Sequence, residues 1–265
     1  MTNPIRVACS DDLKFLQPKL VKDLARVGNS SDGGYAMTSN SLLNPEYFLS
    51  LGLGENWSFE SAVSKINPNS SIDIYDDTVS LIFFTTKALK GLIKFLLLRD
   101  SLANLSSRYL RLRNYIQFWL QSSKNRHHKI HINEQTFREI LRSYSEESRI
   151  GLKVDIEGSE WEILKLISEN QFRFEFILIE IHDFDYHEHE LRVFLNSLKD
   201  DFVNAHLHAN NFEPLGSNGF PRVFELTLLR KSSAVILDEA RKELPISGLD
   251  VPNAKNRPDF ELTFN

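Results

Sequence analysis

The sequence predicts an α/β fold: a mostly parallel β-sheet with helices on both faces and an antiparallel last strand. Three observations predict it. Apolar, β-branched runs alternate with helical periodicity along most of the 265 residues, the pattern of βαβ units. The run "FEFILIEIHD" at 174–183 is apolar on both faces, as a central parallel strand must be. The last two strand candidates are joined only by residues 210–220. That stretch is too short for a crossover helix but long enough for a hairpin.

The elements follow in order. Residues 1–46 are mixed and hold a turn-rich piece, "RVGNSSDGGYAM". Tyr47–Leu51 reads as a buried strand, Gly52 and Gly54 as a turn, and Asn56 or Ser58 as the cap of a helix running to about Ile66. "SSIDIYDD" is a short strand, with Ile72 and Ile74 alternating against Asp73 and Tyr75. Residues 79–121 read as helical and basic, "KIHIN" (129–133) as the third strand, and "TFREILRSY" as a helix. "RIGLKVDI" is the fourth strand, and Ser159 with Glu162 makes an S-x-x-E capping box for the helix after it. A helix over 187–198 leads to "DFVNAHLHANNF" and the closing strand "RVFELTLLRK". Neither repeats nor linkers interrupt the pattern. The expectation is a single domain over 1–265, with 79–121 as a basic helical insertion and 245–265 as a surface wrap.

Composition narrows the function. A net charge of −5 and a sequence pI near 5.9 give no electrostatic footprint of nucleic-acid binding. The single cysteine, Cys9, allows no disulfide within the chain and suits a reducing cytoplasm. The first residues lack an apolar signal core, and no apolar stretch reaches the ~18 residues of a spanning helix. The expected location is the cytoplasm, with a peripheral place at the inner face of a membrane as one use of the basic segment.

Ligands of open α/β sheets bind beyond the carboxyl ends of the strands. "SLGLGENWSFE" sits at such an end. Its glycines let a backbone approach a ligand, and the helix N-terminus behind them favours anionic groups. A dinucleotide fingerprint needs a third glycine where this chain has Trp57. Asp76 follows Gly52 by 24 residues, the spacing of a carboxylate that receives ribose hydroxyls. A nucleoside ligand without a pyrophosphate points to S-adenosyl-L-methionine. The expected cofactor-binding set is Gly52, Leu53, Gly54, Glu55, Asp76, Asp77, Asn133 and Asp155. Adenine is expected near Asn133 and Glu134.

"RVGNSSDGGYAM", "YFLSLGLGENWSFE", "LKVDIEGSEWEIL", "LIEIH" and "LDVPNAKNRPDFEL" together resemble the FkbM-like class I S-adenosylmethionine-dependent methyltransferases. "KVDIEGSEWEIL" is the most specific piece. The resemblance implies a Rossmann-like, seven-stranded methyltransferase sheet and O-methylation, often of sugars in glycans or natural products. The 79–121 segment is larger than usual for that family.

In "IGLKVDIEGSEWEIL", period two puts Asp155 and Glu157 on one face if the strand persists through both. Gly158 then allows the turn into a helix. Methyl transfer to a hydroxyl needs the nucleophile held close to the methyl carbon and a group to take its proton. Asp155 could orient the acceptor, while Glu157 also suits a helix start. Glu180 and His182 share a face, and His182 is the best general base. His206 and His208 share the next strand's face, so the expected catalytic set is Asp155, Glu157, His182 and His208.

Asp155, Glu180, His182 and His208 could together approach a divalent ion. Two histidines suit Mg²⁺ poorly, and sulfonium chemistry needs no metal for activation, so none is assigned. "HEHE" (187–190) reads as a solvated helix start. The loop "SDGGYAM" suits either a cover over the cofactor, with Asp32 turning the chain and Tyr35 stacking or hydrogen-bonding, or a simple turn before a strand.

Lys87, Lys90 and Lys94 fall on one helical face, and Leu89, Leu92, Ile93 and Leu96 on another. This suits packing on the sheet, contact with an anionic leaflet, or a phosphorylated glycan. Leu105, Leu112 and Trp119 recur every seven residues, so a homodimer seam is a further use. The expected activity is methylation of a hydroxyl on a sugar of a glycan or glycolipid. The alternatives are an NAD(P)-dependent oxidoreductase, whose Tyr-x-x-x-Lys pair does not occur here, and a cofactor-binding module without catalysis.

Overall fold

A computed structural model describes residues 3–30, 33–122 and 124–264. Its strands are β1 (Ile5–Cys9), β2 (Lys19–Val21), β3 (Leu24–Gly28), β4 (Gly34–Thr38), β5 (Tyr47–Leu51), β6 (Ser71–Tyr75) and β7 (Asn125–His128), then β8 (Ile150–Val154), β9 (Phe174–Ile181), β10 (Phe202–Ala209), β11 (Phe224–Arg230), β12 (Ile236–Ala240), β13 (Glu243–Leu244) and β14 (Phe260–Phe264). The helices are α1 (Ser39–Leu43), α2 (Ser58–Ile66), α3 (Leu81–Leu96), α4 (Leu102–Gln121), α5 (Glu134–Arg142), α6 (Leu164–Glu169) and α7 (Phe184–Leu198).

The central sheet has seven strands in the order β10-β11-β9-β8-β5-β6-β7. All neighbours are parallel except β11, which pairs antiparallel with both β9 and β10. The connection, residues 210–223, holds no crossover helix, and the strand reverses as expected. The strand order changes direction between β5 and β8, and this switch point opens the crevice where ligands of such sheets bind.

The centre of the sheet is apolar because it is covered twice. All eight residues of β9 are buried, including Ile177, Leu178 and Ile179. One face packs against α5, α6, α7 and the C-terminal β14, through Phe137, Ile167, Phe194 and Leu262. The other packs against the β3–β4 hairpin, α2 and the base of the α3–α4 pair, through Met37, Phe59, Phe84 and Phe118. Ile-rich strands with helices on both sides are what this layering requires.

Several local expectations change. The third sheet strand is Asn125–His128, not 129–133. Its residues have little strand preference of their own, and pairing with Ile72–Tyr75 selects them. Residues 129–132 form the connection to α5, with Ile132 turned into the core. The capping box at Ser159 and Glu162 does not form. Residues 160–162 make a 3₁₀ turn, Ser159 gives no side-chain cap, and α6 starts only at Leu164. At α2, the Asn56 side chain accepts from the Ser58 N–H at 3.2 Å.

The heptad Leu105, Leu112 and Trp119 is not free for a second copy. Leu105 is buried, and Leu112 and Trp119 pack onto the chain's own core. Conversely, of the apolar face Leu89, Leu92, Ile93 and Leu96, for which packing on the sheet was one expected use, only Leu92 is half-buried and the other three are exposed. α3 instead buries Phe84, Ala88 and Gly91. A Cβ at Gly91 would lie 2.7 Å from the Arg108 guanidinium, so this glycine permits the close approach of α3 and α4.

Candidate active site

Two adjoining cavities lie at the carboxyl ends of β5, β6, β8 and β9, and both are lined by Gly54, Asp155 and Glu157. The larger, about 590 Å³, also takes Tyr35, Glu60, Lys153, Glu180, His182 and Arg222. The smaller, about 330 Å³, takes Gly52, Asp76, Asp77, Ile130, His131 and Ile132.

The two glycines of the turn have different reasons to be glycine. Gly52 has φ +84°, and a Cβ there would lie 1.7 Å from the Asp155 carbonyl oxygen. It therefore serves the close approach of two backbones. Gly54 has φ +57° with nothing within 4 Å of a built Cβ, so its open side faces the cavities. Leu53 is buried and lines the larger cavity.

Asp76 organises this turn. One carboxylate oxygen accepts from the N–H groups of Leu53 (2.8 Å) and Gly54 (2.9 Å). The other accepts from the Thr78 hydroxyl (2.6 Å), the Thr78 N–H (2.7 Å) and the Val79 N–H (3.2 Å). Burial pushes its pKa up, but these donors outweigh burial and hold it below the usual carboxylate range. Asp77, beside it, is half-exposed in the same cavity, with its carboxylate 3.5 Å from His131 Nδ1. Glu55 pairs with Lys87 of α3 and Arg111 of α4, tying the glycine turn to the helical pair.

Asn133 is not in the cavity wall. Its side chain accepts from the Thr136 N–H at 3.0 Å as the cap of α5. It lines a separate shallow depression with Glu134 and Arg138. Ile130, His131 and Ile132 occupy the place expected for it.

At the other corner β8 ends at Val154, so Asp155 and Glu157 are not held together by a continuing strand. Left-handed backbone at Glu157 (φ +53°) and Gly158 (φ +102°) turns the chain instead. The Asp155, Glu157 and His182 side chains still converge: one donor atom from each lies within 4.8 Å of the others. These three could hold a divalent ion, and the expected donor set with His208 does not form. His208 is buried on β10, with Nδ1 3.7 Å from Glu225, and does not line the cavity. Its face of the strand lies under the C-terminal segment, where neighbouring His206 pairs with Asp250 at 3.0 Å.

The residue that sequence reasoning missed is Glu160. It is fully buried. Its Oε1 accepts from the His182 N–H (2.7 Å) and faces His182 Nδ1 at 3.1 Å, while its Oε2 accepts from the Gly158 N–H at 2.9 Å. The Trp161 indole donates to the His182 carbonyl at 3.1 Å. "EGSEW" therefore clamps His182 by main chain and ring together. With Nδ1 engaged, Nε2 is left 3.5 Å from Glu157 Oε2 at the cavity. Burial lowers the His182 pKa, but the Glu160 hydrogen bond and the charges of Glu160, Asp155 and Glu157 raise it above the ordinary histidine value. The only local signal in the sequence was a second glutamate in the motif, and nothing there marked it as the buried one.

The cavity floor is ionised unevenly. Lys153 is buried, 3.5 Å from both Glu60 and Asp155, and donates to the Gly52 carbonyl at 3.0 Å. Burial and the neighbouring Asp155 and Glu225 carboxylates push Glu180 well above the carboxylate range, although Asn210 donates to it at 2.7 Å. Glu60 is wholly buried: Oε1 accepts from the Ser50 hydroxyl at 2.7 Å, and Oε2 has no hydrogen-bond partner among the described residues. Among the described residues seven carboxylates and two Lys or Arg side chains line the larger cavity, an excess that suits a positively charged ligand. Tyr35 of the glycine-rich hairpin is buried in its wall, with the Lys153 ammonium 5.9 Å from its ring centroid. Asp32, expected to turn that loop, lies outside the described residues.

A family model described as "Methyltransferase FkbM domain" matches residues 38–203, which hold the glycine turn, Asp155, Glu160 and His182. The chain belongs to the FkbM methyltransferase family. It is an S-adenosylmethionine-dependent methyltransferase with the Rossmann-like fold of that class, and the oxidoreductase and non-catalytic readings fall away. No curated protein matches this FkbM methyltransferase. Solved structures similar to it include a fibrillarin/Nop5p complex (11% identity, TM-score 0.38, 80% of this chain and 94% of that one). Others are a precorrin-6y C5,15-methyltransferase from Geobacter metallireducens GS-15 (12%, 0.37, 73% and 85%) and an O-methyltransferase family protein from Burkholderia thailandensis (9%, 0.34, 72% and 52%). Among the described residues no helix is long and apolar enough to cross a membrane.

Proposed function

We propose that this FkbM methyltransferase transfers its methyl group to a hydroxyl, and that the acceptor is a sugar of a glycan or glycolipid. The observation that carries this reading is the Glu160–His182 pair at the cavity. A histidine whose Nδ1 is held by a buried carboxylate keeps Nε2 free to take a proton. An alcohol needs such a base, because its proton must leave as the new C–O bond forms. The cavity mouth supports a saccharide: Phe212 is a half-exposed aromatic face beside the polar groups of Asp183, Glu213 and Arg222.

S-Adenosylmethionine supplies an electrophilic methyl group on a positively charged sulfur. The excess of cavity carboxylates fits that charge, and the unpartnered Oε2 of Glu60 fits an ammonium group. In this reading Gly54, Leu53 and Asp155 line the cofactor's path, and Asp77 takes the ribose role that the sequence offered to Asp76. The reason is that both oxygens of Asp76 are already engaged. Asp155 and Glu180 orient the acceptor hydroxyl toward the methyl group, and His182 receives the proton at Nε2. Glu157, mostly exposed and 3.5 Å from that nitrogen, stabilises the imidazolium that results.

The chain acts as one methyltransferase domain over 1–265. In support, the C-terminal β14 pairs with β1, and Asn211 donates to the carbonyls of Ala254 and Pro258 at 3.0 and 3.2 Å. A peripheral contact of residues 79–113 with the inner face of a membrane belongs to the same reading, since it would bring a lipid-carried acceptor to the cavity. The test is calorimetry with S-adenosylmethionine, followed by a labelled-methyl screen over glycans and glycolipids. Transfer to a sugar hydroxyl is expected. Cofactor binding with transfer only to amines or thiols would sink the hydroxyl reading.

A further inference from the structure

We infer that the α3–α4 hairpin is a docking device for an anionic phospholipid leaflet, entering it by the tip Leu96–Leu98 and Leu102. The inference deepens the peripheral contact proposed above and rests on it. Three observations carry it.

The first is apolar exposure. Of the twenty-two exposed large hydrophobic side chains among the described residues, twelve lie between Leu81 and Leu120. At the tip, Leu96, Leu97, Leu98 and Leu102 are all exposed, Leu98 at 92%. Ile82, Leu89 and Ile93 extend the patch along α3, recurring at helical spacing on one stripe. So concentrated a patch marks an interaction surface rather than scattered surface apolars.

The second is backbone cost. Leu98 ends α3 in the left-handed region, φ +56°. Glycine is the ordinary residue there because a Cβ is penalised. The hairpin nevertheless presents leucine, and leaves that side chain almost wholly exposed. Its use lies outside the chain.

The third is charge, and it selects the occupant. Residues 79–121 carry seven Lys and Arg against the single Asp100, a net of +6, in a chain whose net charge is −5. Lys90, Lys94 and Arg99 flank the exposed leucines. Leucines fringed by cations are the pattern of an interfacial helix on anionic lipid. A second copy fits less well, because symmetric pairing would set these cations against one another. The base of the hairpin is fixed to the site. Glu55, next to Gly54, pairs with Lys87 and Arg111, so a docked hairpin sets the cavity beside the leaflet.

The experiment is flotation of the full chain with vesicles of phosphatidylcholine alone or with about one-third phosphatidylglycerol, with S-adenosylmethionine calorimetry on each protein. The wild type is expected to float with the anionic vesicles and to be released by salt. Leu96→Ser/Leu97→Ser/Leu98→Ser should cut partition at least about a hundredfold. Lys90→Glu/Lys94→Glu should cut it at least about tenfold. Both variants change exposed side chains and should bind cofactor as the wild type does. No flotation of a wild type that binds cofactor overturns the inference while leaving the methyltransferase reading intact. Flotation unchanged in both variants overturns it too, as does a wild-type dimer that the leucine variant splits without loss of vesicle binding.

Discussion

The two corners of the site use carboxylates in opposite ways. At the ends of β5 and β6, Asp76 is saturated: five protein donors surround its two oxygens, and its pKa is held down. At the larger cavity, where β8 and β9 end against the first turn of α2, Glu60 of α2 keeps an orphan oxygen, Glu180 is pushed toward its neutral form, and His182 keeps one ring nitrogen at the cavity. The first corner is built to hold a loop in shape. The second is left chemically unfinished, as a site that must accept a ligand and a proton is expected to be. Acids at strand tips therefore do not form one class, and whether each is spent on the fold or kept for chemistry depends on what the surrounding backbone demands.

The most severe way to break the contrast is at His182. His182→Ala is expected to lower turnover by ~10²–10⁴ with cofactor affinity intact, checked by single-turnover methyl transfer beside calorimetry. Near-normal turnover would return His182 to a packing role. Glu160→Gln keeps the volume but removes the charge that orients the ring, and turnover should fall by about 10–100-fold.

The same variant sharpens the contrast through pH. The base form of His182 is neutral and its pKa is raised, so the wild-type rate should rise with pH and level off only above the ordinary histidine value, about 6.5. Glu160→Gln should move that limb to lower pH, whereas a merely destabilised protein would lose amplitude without a shift.

Asp76→Ala tests the saturated corner. It leaves buried N–H groups unmet and should lower stability by about 1–3 kcal/mol, seen as a fall in Tm, with cofactor affinity falling as the turn loosens. The sign with pH is fixed by the lowered pKa. The stability that Asp76 contributes is fully present above its unfolded value, about 3.9, and is lost as pH falls through the lower folded value. In Asp76→Ala this acid-side loss should flatten. The smallest effect expected is at Asp77. Asp77→Asn should weaken cofactor binding by about 2–10-fold without moving Tm, and unchanged affinity would take the ribose elsewhere.

How legible the molecule is depends on how local each feature is. The glycine turn after β5, the reversal of β11 and the apolar β9 all rest on neighbouring residues or on the length of a connection, and they were readable. So was the meeting of "VDIEG" and "IEIHD" at adjacent strand tips. Asn133 and His208 were misplaced for one reason. Their residue types suit a site, but a helix start in one case and the C-terminal segment in the other claims the side chain. For the α3 leucines the sequence left packing on the sheet and an outward contact both open, because their periodicity suits either. Periodicity gives a face and not its cover, and Gly91 and Ala88 turned a different face inward.

By itself the sequence determined the order of elements, the end of the sheet where ligands gather, and the acids and histidine that could serve there, since these follow from local propensity and connection length. The tertiary structure alone decided that Glu160 reaches across 22 residues to hold His182, that Asp76 is spent on its own loop, and that the hairpin's leucines face outward. Each of these is a competition among several partners for one side chain, and only the packed chain sets the distances that settle it.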